Sequence, residues 1–275
     1  MKTETETPFF GEFGDSITFN SVSECRSDAL QIAWHPASIK FRESKGQQER
    51  FFLNLYLKWA FKKDAASFDL PLIITRADKK NEPDFFITEN GRQYGLEVTR
   101  ATTWRSERAT DALIAAGPGC FLEIDSSIFG EDRDYKPISD IKSPGDGLDS
   151  EPLLGLDLEK EWARCTGYRI LEKQKKLAKN YSLFTSECDL VLYSSFPIHE
   201  LEDGVRFLQS HYKSAETSGN SCIRFQRIAI VSENWAIFDP LGATPLVLNT
   251  RDFPFDGSPE QARMIGGLSG KKFSS

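Results

Sequence analysis

The sequence predicts an α/β domain in which helices flank a mixed central sheet. Two long stretches, 47–63 and 158–181, have the spacing of amphipathic helices, and short apolar runs typical of strands alternate with them. Asn90-Gly91 separates two runs of alternating polarity. This is the strongest short-range hairpin signal, because a type I′ turn needs positive φ at both central residues. Such alternation of helices, strands and a hairpin favours a layered architecture.

Composition limits the class of protein. The 275 residues include 34 Lys and Arg against 41 Asp and Glu, which gives a net charge of −7, and 39% of them are hydrophobic. This apolar content excludes a disordered chain. No apolar run approaches the roughly 20 residues of a membrane span, and the first seven residues lack the apolar region of a signal peptide. Five scattered cysteines without CxxC spacing favour reduced thiols over a zinc site. We therefore expect a cytoplasmic protein with no membrane partner.

We expect a single domain over residues 1–275, in three parts. Residues 1–45 are polar and irregular and are predicted to form an N-terminal arm with short strands. Residues 47–195 form the core, and residues 196–275 form a C-terminal extension built from a helix and a hairpin.

The first half of the core contains three kinds of element. In the helix over 47–63, Leu53, Tyr56 and Ala60 lie on one side, and Glu49 falls on that same side. The apolar run over 70–75 is a strand, and the hairpin around Asn90-Gly91 follows it.

An insertion over 100–158 interrupts the core. It begins with a short helix over 106–116, and its acidic stretch over 125–152, rich in Gly, Pro and Ser, is predicted to be a mobile surface loop. After it come the helix over 158–181, predicted to break near Gly167, and a strand over 188–194. The extension then contains a helix over 201–212, a hairpin over 223–239 and a frayed tail from 251 onward.

The hairpin places two carboxylates opposite each other. If Asn90-Gly91 is a two-residue loop, Glu89 pairs with Arg92, and Asp84 then lies opposite Glu97 with Cβ atoms about 5 Å apart. Alternation puts both on one face of the sheet with Thr99 and with Gly95, which leaves room for a ligand.

Like charges directly opposite each other destabilise a sheet unless something compensates them. A divalent cation is one compensation, since Mg²⁺ is commonly held by one or two carboxylates, water and a substrate phosphate. The alternative is structural: Asp84 begins a strand, and Glu97 pairs with a surface Arg or Lys.

Pro83-Asp84, a hairpin and then Glu97-Val98-Thr99 resemble the motif of the PD-(D/E)XK nuclease superfamily, in which Pro-Asp precedes an acid-x-Lys on the next strand. The predicted order αβββαβ over 47–195 resembles the restriction-endonuclease-like core of that superfamily. Thr99 stands where the motif has Lys. Some members have this lysine on the following helix instead, and this chain has Lys173 and Lys176 there.

The position of Lys173 favours it as the migrated lysine. It lies at the edge of the apolar stripe that Ile170 and Leu177 form, so its stem can pack while its ammonium reaches the sheet. Lys176 lies one turn on and further out. The alternative for both lysines is a solvated basic helix face. Gln174 lies inside the stripe and is a further candidate to face the site.

The resemblance implies a nuclease that uses Mg²⁺ or Mn²⁺, with Asp84 and Glu97 as metal ligands and Glu49 as an extra one. Glu49 is equally explained by a salt bridge at the core boundary. Lys173 or Lys176 would act at the phosphate, with Thr99 in a supporting role. The implied partner is nucleic acid, DNA first, in a bacterial or phage-defence setting. Arg100, Arg105 and Arg108, with Trp104 among them, would contact the phosphate backbone or begin an ordinary exposed helix.

Two other readings remain open. The Thr99 departure fits a catalytically inactive nuclease fold that binds nucleic acid or protein. The acidic stretch and the aromatic content fit a partner subunit of a larger assembly, and a homodimer is the expectation if both strands of a duplex are cut. The sequence contains no GxxxxGK[ST], GxSxG or HExxH motif, which argues against the enzyme classes that those motifs mark.

Overall fold

The computed structural model describes ten segments of the chain: residues 16–21, 45–62, 68–77, 82–101, 121–122, 141–142, 155–180, 187–196, 198–217 and 224–249. The helices in them are α1 (Lys45–Lys62), α2 (Asp157–Asn180) and α3 (Leu201–Thr217). The strands in them are β1 (Ser16–Phe19), β2 (Leu72–Arg76), β3 (Phe85–Glu89), β4 (Arg92–Arg100), β5 (Phe121–Leu122), β6 (Ile141–Lys142), β7 (Cys188–Tyr193), β8 (Ile228–Val231), β9 (Trp235–Phe238) and β10 (Leu246–Asn249).

Eight of these strands form a mixed sheet in the order β1-β2-β3-β4-β7-β8-β9-β10. Strands β4, β7 and β8 are parallel neighbours, and the remaining neighbours are antiparallel. Strands β5 and β6 form a separate antiparallel pair. The predicted α/β class with a mixed sheet is confirmed.

Helices cover both faces of the sheet. Helix α1 packs through Phe52, Leu53 and Tyr56 on the face that presents Leu96 and Val98. Helices α2 and α3 pack on the opposite face, where Trp162 and Ile170 meet Leu190 and Leu192. Because side chains alternate along a strand, β4 and β7 each supply residues to both layers. None of the three described helices has the length and apolar content needed to cross a membrane.

Helix α1 is more deeply buried than an amphipathic helix. The predicted face is buried, but so are Leu55, Leu57 and Lys58 on its other sides. A helix that is apolar nearly all round is typical of a protein interior. The prediction of a single apolar face was therefore too narrow.

Helix α2 runs unbroken from Asp157 to Asn180, so the predicted break near Gly167 was wrong. A Cβ atom at Gly167 would come within 2.7 Å of the His211 ring on α3. The glycine thus allows two helices to approach closely, which explains its position inside a helix without a break.

The C-terminal part contributes more strands to the sheet than the sequence predicted. The expected hairpin is present as β8 and β9, and β10 extends it as an edge strand that was not predicted. Strand β1, in the expected N-terminal arm, pairs with β2 at the opposite edge. The predicted helix over 106–116, most of the acidic stretch over 125–152 and the tail from 251 lie outside the described residues.

Candidate functional site

The β3–β4 hairpin has the predicted register. Glu89 pairs with Arg92 and Phe85 with Leu96, and the turn residues have φ of 48° at Asn90 and 77° at Gly91. Asp84 precedes β3 directly, at the position that continues this register toward Glu97. Its Oδ2 accepts a hydrogen bond of 2.9 Å from the backbone N–H of Val98. The hairpin therefore brings the two predicted carboxylates together.

Glu97 is buried between the sheet and α2. It is 1% exposed and pairs across the sheet with Leu190, which belongs to the layer under α2 and α3. The space expected beside Gly95 is filled, because a Cβ atom there would meet Pro83 at 2.9 Å and Cys188 at 3.1 Å. The prediction that Gly95 leaves room for a ligand was wrong, since the glycine makes way for these two side chains.

Helix α2 directs two lysines onto Glu97. Lys173 Nζ lies 2.6 Å from Glu97 Oε1, and Lys176 Nζ lies 3.1 Å from the same oxygen. The side chain of Lys173 is 15% exposed and that of Lys176 is 40% exposed. The inner lysine therefore packs along the helix while the outer one reaches in from the solvent side, as their positions on the helix predicted.

Asp84 has a different environment from Glu97. Its carboxylate makes no ion pair within the described part of the chain, and the Val98 N–H is the donor that it contacts there. Burial, together with the charges of Glu97 and Glu49, raises the pKa of Asp84 to about 7, against the opposing effects of the Val98 N–H and Lys173. This carboxyl is therefore only about half ionised at neutral pH, and its protein neighbours only partly compensate the charge that it carries when ionised.

The pKa of Glu97 moves in the other direction. Burial alone would raise it, but the charges and hydrogen bonds of Lys173 and Lys176 hold it below its usual range. One carboxylate of the pair is thus firmly ionised and the other titrates near neutrality.

Glu49 lies beside this pair at the start of α1. It forms ion pairs with Lys45 at 3.0 Å and with Arg76 at 3.9 Å. The hydrogen bond to Glu49 and the charge of Asp84 raise the pKa of Lys45. The structure therefore places Glu49 within the electrostatic reach of Asp84 and pairs it with cations, and its role as a third ligand stays a prediction.

Thr99 lies on the face of the sheet that carries Glu97, whereas Gln174 lies between α2 and α3. Thr99 pairs with Leu192 and shares the face of Glu97, so its supporting role stays a prediction. Gln174 exchanges hydrogen bonds with the Tyr212 hydroxyl between α2 and α3. The proposal that Gln174 faces the carboxylates was wrong, because this buried pairing directs its amide toward α3.

The donor set of the site fits a hard divalent cation. Asp84 and Glu97 offer only oxygen atoms, and a partly uncompensated carboxylate next to a second one is what such a cation would neutralise. No group of three or more His, Cys, Asp and Glu side chains that could hold a metal exists among the described residues. A cation here would therefore be held by the two carboxylates, with water and substrate oxygens as its other ligands.

No family model, curated protein or solved structure matches this chain. Its function must therefore be inferred from its own residues.

Sequence reasoning missed a second buried ion pair, on the other face of the sheet. Asp189 is 1% exposed, and its Oδ2 accepts a hydrogen bond of 2.8 Å from Arg227 Nε. The signal for it was a lone carboxylate inside the apolar strand β7, which requires a buried partner. Arg105, Arg108 and Trp104 lie outside the described residues, while the guanidinium of Arg100 lies over the ring of Phe52 at 5.9 Å.

Proposed function

We propose that this chain is a metal-dependent nuclease that hydrolyses phosphodiester bonds in nucleic acid, with DNA as the first candidate substrate. The observation that carries the proposal is the convergence of Lys173 and Lys176 on Glu97 beside Asp84, a carboxylate without an ion pair in the described segments. Two acids from adjoining strands, with lysine from the following helix, are the groups that the lysine-migrated branch of the PD-(D/E)XK superfamily requires.

The order and direction of the strands support the same proposal. Strands β2, β3 and β4 form an antiparallel meander, and α2 leads to β7, which lies parallel to β4. With α1 ahead of β2, this order supports the assignment of these elements to a restriction-endonuclease-like core, whose expected order is αβββαβ. In this scheme β1, β8, β9, β10 and α3 are additions to that core.

Asp84 and Glu97 would hold the cation, with Glu49 as a third acid within reach. When bound, Mg²⁺ or Mn²⁺ would lower the pKa of a coordinated water and polarise the phosphoryl oxygen. The pKa of Asp84 near 7 means that this ligand is available above neutral pH and is lost to a proton below it.

The lysines would act on the phosphate. Lys173 keeps Glu97 ionised and places an ammonium beside the carboxylate pair, where it can stabilise negative charge that develops on the phosphate. In the hydrolysis a water oxygen forms a bond to phosphorus, one ester P–O bond breaks, and the leaving oxygen takes up a proton. Lys176, the more exposed of the two, would contact the substrate from the solvent side.

The alternative is a nuclease fold without catalysis, which binds nucleic acid or a protein partner. Thr99, in place of the motif lysine, favours it. A homodimer or a larger assembly is compatible with either function, and a cytoplasmic location is part of the same proposal.

Cleavage assays test the proposal directly. Plasmid, single-stranded DNA and RNA are incubated with the protein and Mg²⁺ or Mn²⁺, and the wild type is compared with Asp84→Asn, Glu97→Gln and Lys173→Met. We expect metal-dependent cleavage that falls by more than about 100-fold in each carboxylate variant and by about 100- to 1,000-fold in the lysine variant.

Helix α2 offers matched controls for these substitutions. Glu172→Gln and Lys175→Met make the same chemical changes at exposed positions, and both should cleave like the wild type. Absence of cleavage on all three substrates with a folded wild type would overturn the catalytic proposal and favour the binding module. Equal losses in the control variants would show that the effect is not specific to the site.

A further inference from the structure

A cavity of about 300 Å³ lies on the face of the sheet opposite the two carboxylates. It is enclosed by α1 and by β7, β8 and β9, with Tyr56, Asp189, Arg227 and Phe238 in its walls and Gln226 and Asp239 near its opening. Glu97 pairs with Leu190 of β7, and both lie on the face of α2. Asp189, the residue before Leu190, points to the face of α1. The cavity is therefore separated from the candidate nuclease site by the sheet itself.

Arg227 is held rigidly at this cavity. Its Nε donates to Asp189 Oδ2 at 2.8 Å, its backbone N–H donates to Asp189 Oδ1 at 3.1 Å, and its Nη2 donates to the Tyr94 hydroxyl at 2.5 Å. The guanidinium also lies 5.0 Å from the ring centre of Tyr94 and 5.5 Å from that of Phe68. Its remaining nitrogen, Nη1, makes no hydrogen bond to the described residues. A fixed guanidinium thus keeps one nitrogen that no described residue contacts by a hydrogen bond.

The Tyr56 hydroxyl is a second donor that no described residue engages. The residue is 2% exposed and lines the cavity, yet its hydroxyl has no hydrogen-bond partner among the residues that the structure describes. Burial, together with the charge of Asp189, raises the pKa of Tyr56, so the hydroxyl keeps its proton. Buried polar groups are normally satisfied, and an open donor in a cavity wall points to a ligand or water that accepts from it.

The charges of the cavity favour a neutral ligand. Asp189 offsets Arg227, Glu89 Oε1 lies 3.7 Å from Arg227 Nη2, and Asp239 adds a negative charge near the opening. A phosphate or carboxylate would meet no net positive charge. The donors of Tyr56 and Arg227 instead suit carbonyl oxygens or ring nitrogens, and the acceptors of Gln226 and Asp239 suit amino groups.

The remaining walls suit a flat ring. Tyr56 and Phe238 form one aromatic wall, with ring centroids 6.1 Å apart and planes inclined by 37°, on which a flat ring can pack. Val191 and Ala229 supply apolar surface. We infer that this cavity binds the base of a free nucleoside, with Tyr56 and Arg227 donating to acceptors on the edge of the base. The pairing of guanidinium donors with base oxygens and nitrogens is common in base recognition, as is contact between bases and aromatic rings.

The test is calorimetric titration of the wild type with guanosine, adenosine, cytidine and uridine. We expect one of them to bind with Kd between about 10 μM and 1 mM. Tyr56→Phe removes only the hydroxyl, which no described residue contacts by a hydrogen bond, and should weaken binding of that nucleoside at least 5-fold. Ala229→Leu fills the cavity from another wall and should abolish binding. Tyr212→Phe makes the same change as Tyr56→Phe at a buried tyrosine away from the cavity and should leave binding unchanged.

Two further titrations show where the nucleoside binds. Asp84→Asn should bind it like the wild type, because the candidate nuclease site lies across the sheet. Inorganic phosphate should not compete, and the nucleoside 5′-monophosphate should bind no more tightly than the nucleoside. Since the inference does not rest on cleavage, it survives a failure of the nuclease proposal.

Three results would overturn the inference. One is that no nucleoside binds up to 10 mM while circular dichroism shows a folded protein. The second is that binding occurs but is unchanged in both Tyr56→Phe and Ala229→Leu. The third is that Asp84→Asn abolishes binding, or that phosphate competes, which would place the ligand in the nuclease site or make the cavity an anion site.

Discussion

The two faces of strands β4 and β7 each bury a carboxylate, and they satisfy it in different ways. On the face of α1, Asp189 is bound by one arginine through both of its oxygens. On the face of α2, Glu97 receives two lysines on a single oxygen, next to Asp84, whose carboxylate has no ion pair among the described residues. We call the first the arginine pair (Asp189 and Arg227) and the second the lysine site (Asp84, Glu97, Lys173 and Lys176).

The difference follows from the chemistry of the two cations. A guanidinium is a planar fork that matches a carboxylate and fixes it in one geometry, whereas an ammonium is a point charge on a flexible stem. In the arginine pair the charge of Asp189 is fully matched by one guanidinium, at the wall of the cavity beside α1. In the lysine site both cations lie on Glu97, and Asp84 makes no ion pair with a described residue. Cations on flexible stems can shift between protein and substrate, which is the property expected of the proposed metal and phosphate site.

Removing the arginine should have the largest effect on stability. Arg227→Met leaves Asp189 buried without a counter-charge, and we expect a loss of about 3–5 kcal/mol in the free energy of unfolding. Chemical denaturation at pH 7 measures it, with Arg206→Met, an exposed partner of Asp203, as a control that should change stability by less than about 0.5 kcal/mol. A loss below about 1 kcal/mol for Arg227→Met would show that the arginine pair contributes little to the stability of the fold.

In the same variant, stability should depend on pH more steeply than in the wild type. The pKa of Asp189 is already raised to about 6 by burial, with Arg227 opposing that rise. Without the arginine the folded state binds the proton more tightly still, so the free energy of unfolding should increase as the pH falls from 8 to 5.

Glu97→Gln should destabilise the protein by a smaller amount. It leaves Lys173, which is mostly buried, without its acid, whereas Lys176 can turn to solvent, and we expect a loss of about 2–3 kcal/mol at pH 7. The depressed pKa of Glu97 means that its contribution exists above the normal carboxyl pKa and disappears as the pH falls through the folded-state value. Denaturation at pH 7 measures the loss, and Glu172→Gln is the matched control. A stabilised Glu97→Gln would contradict the assignment of the two lysines to Glu97.

Asp84→Asn should change the free energy of unfolding in the opposite direction and by the smallest amount. The amide still accepts from Val98, but the charge repelled by Glu97 is gone. With a folded-state pKa of about 7 the ionised carboxylate costs stability at pH 8, and we expect the variant to be about 1–3 kcal/mol more stable there. At pH 4 the native carboxyl is protonated and the gain should vanish. Thermal unfolding at both pH values measures this gain. A variant less stable than the wild type at pH 8 would contradict the proposed difference between Asp84 and Asp189.

The sequence predicted the lysine site better than the arginine pair. The Asn90-Gly91 turn determines the register, the register places Asp84 beside Glu97, and the helical period aims Lys173 and Lys176 at the sheet. The turn and the helical period are local, and the resemblance to the lysine-migrated branch of the superfamily connected the helix with Glu97, 76 positions before Lys173. Arg227 meets Asp189 across 38 positions of sequence, and no local period connects them, so only the apolar context of Asp189 hinted that a partner existed.

The errors in the predicted fold also come from contacts between residues that are distant in the sequence. Gly167 was predicted to break its helix and Gly95 to leave room for a ligand. Both predictions failed because the sequence does not show which side chains from other elements occupy the space that a Cβ atom would take. His211 does so at the first glycine, and Pro83 and Cys188 do so at the second. The unpredicted strand β10 has a short apolar run whose pairing partner, β9, decides its structure.

Binding of Mn²⁺ tests most directly the central claim that Asp84 is a carboxylate poised for a divalent cation. Calorimetric titration at pH 8 should show one site in the wild type and in Glu172→Gln, and binding at least 10-fold weaker in Asp84→Asn. Wild-type affinity should also fall by up to about 10-fold at pH 6, where a proton competes for Asp84. Absence of binding to the wild type, or equal affinity in Asp84→Asn, would contradict the account.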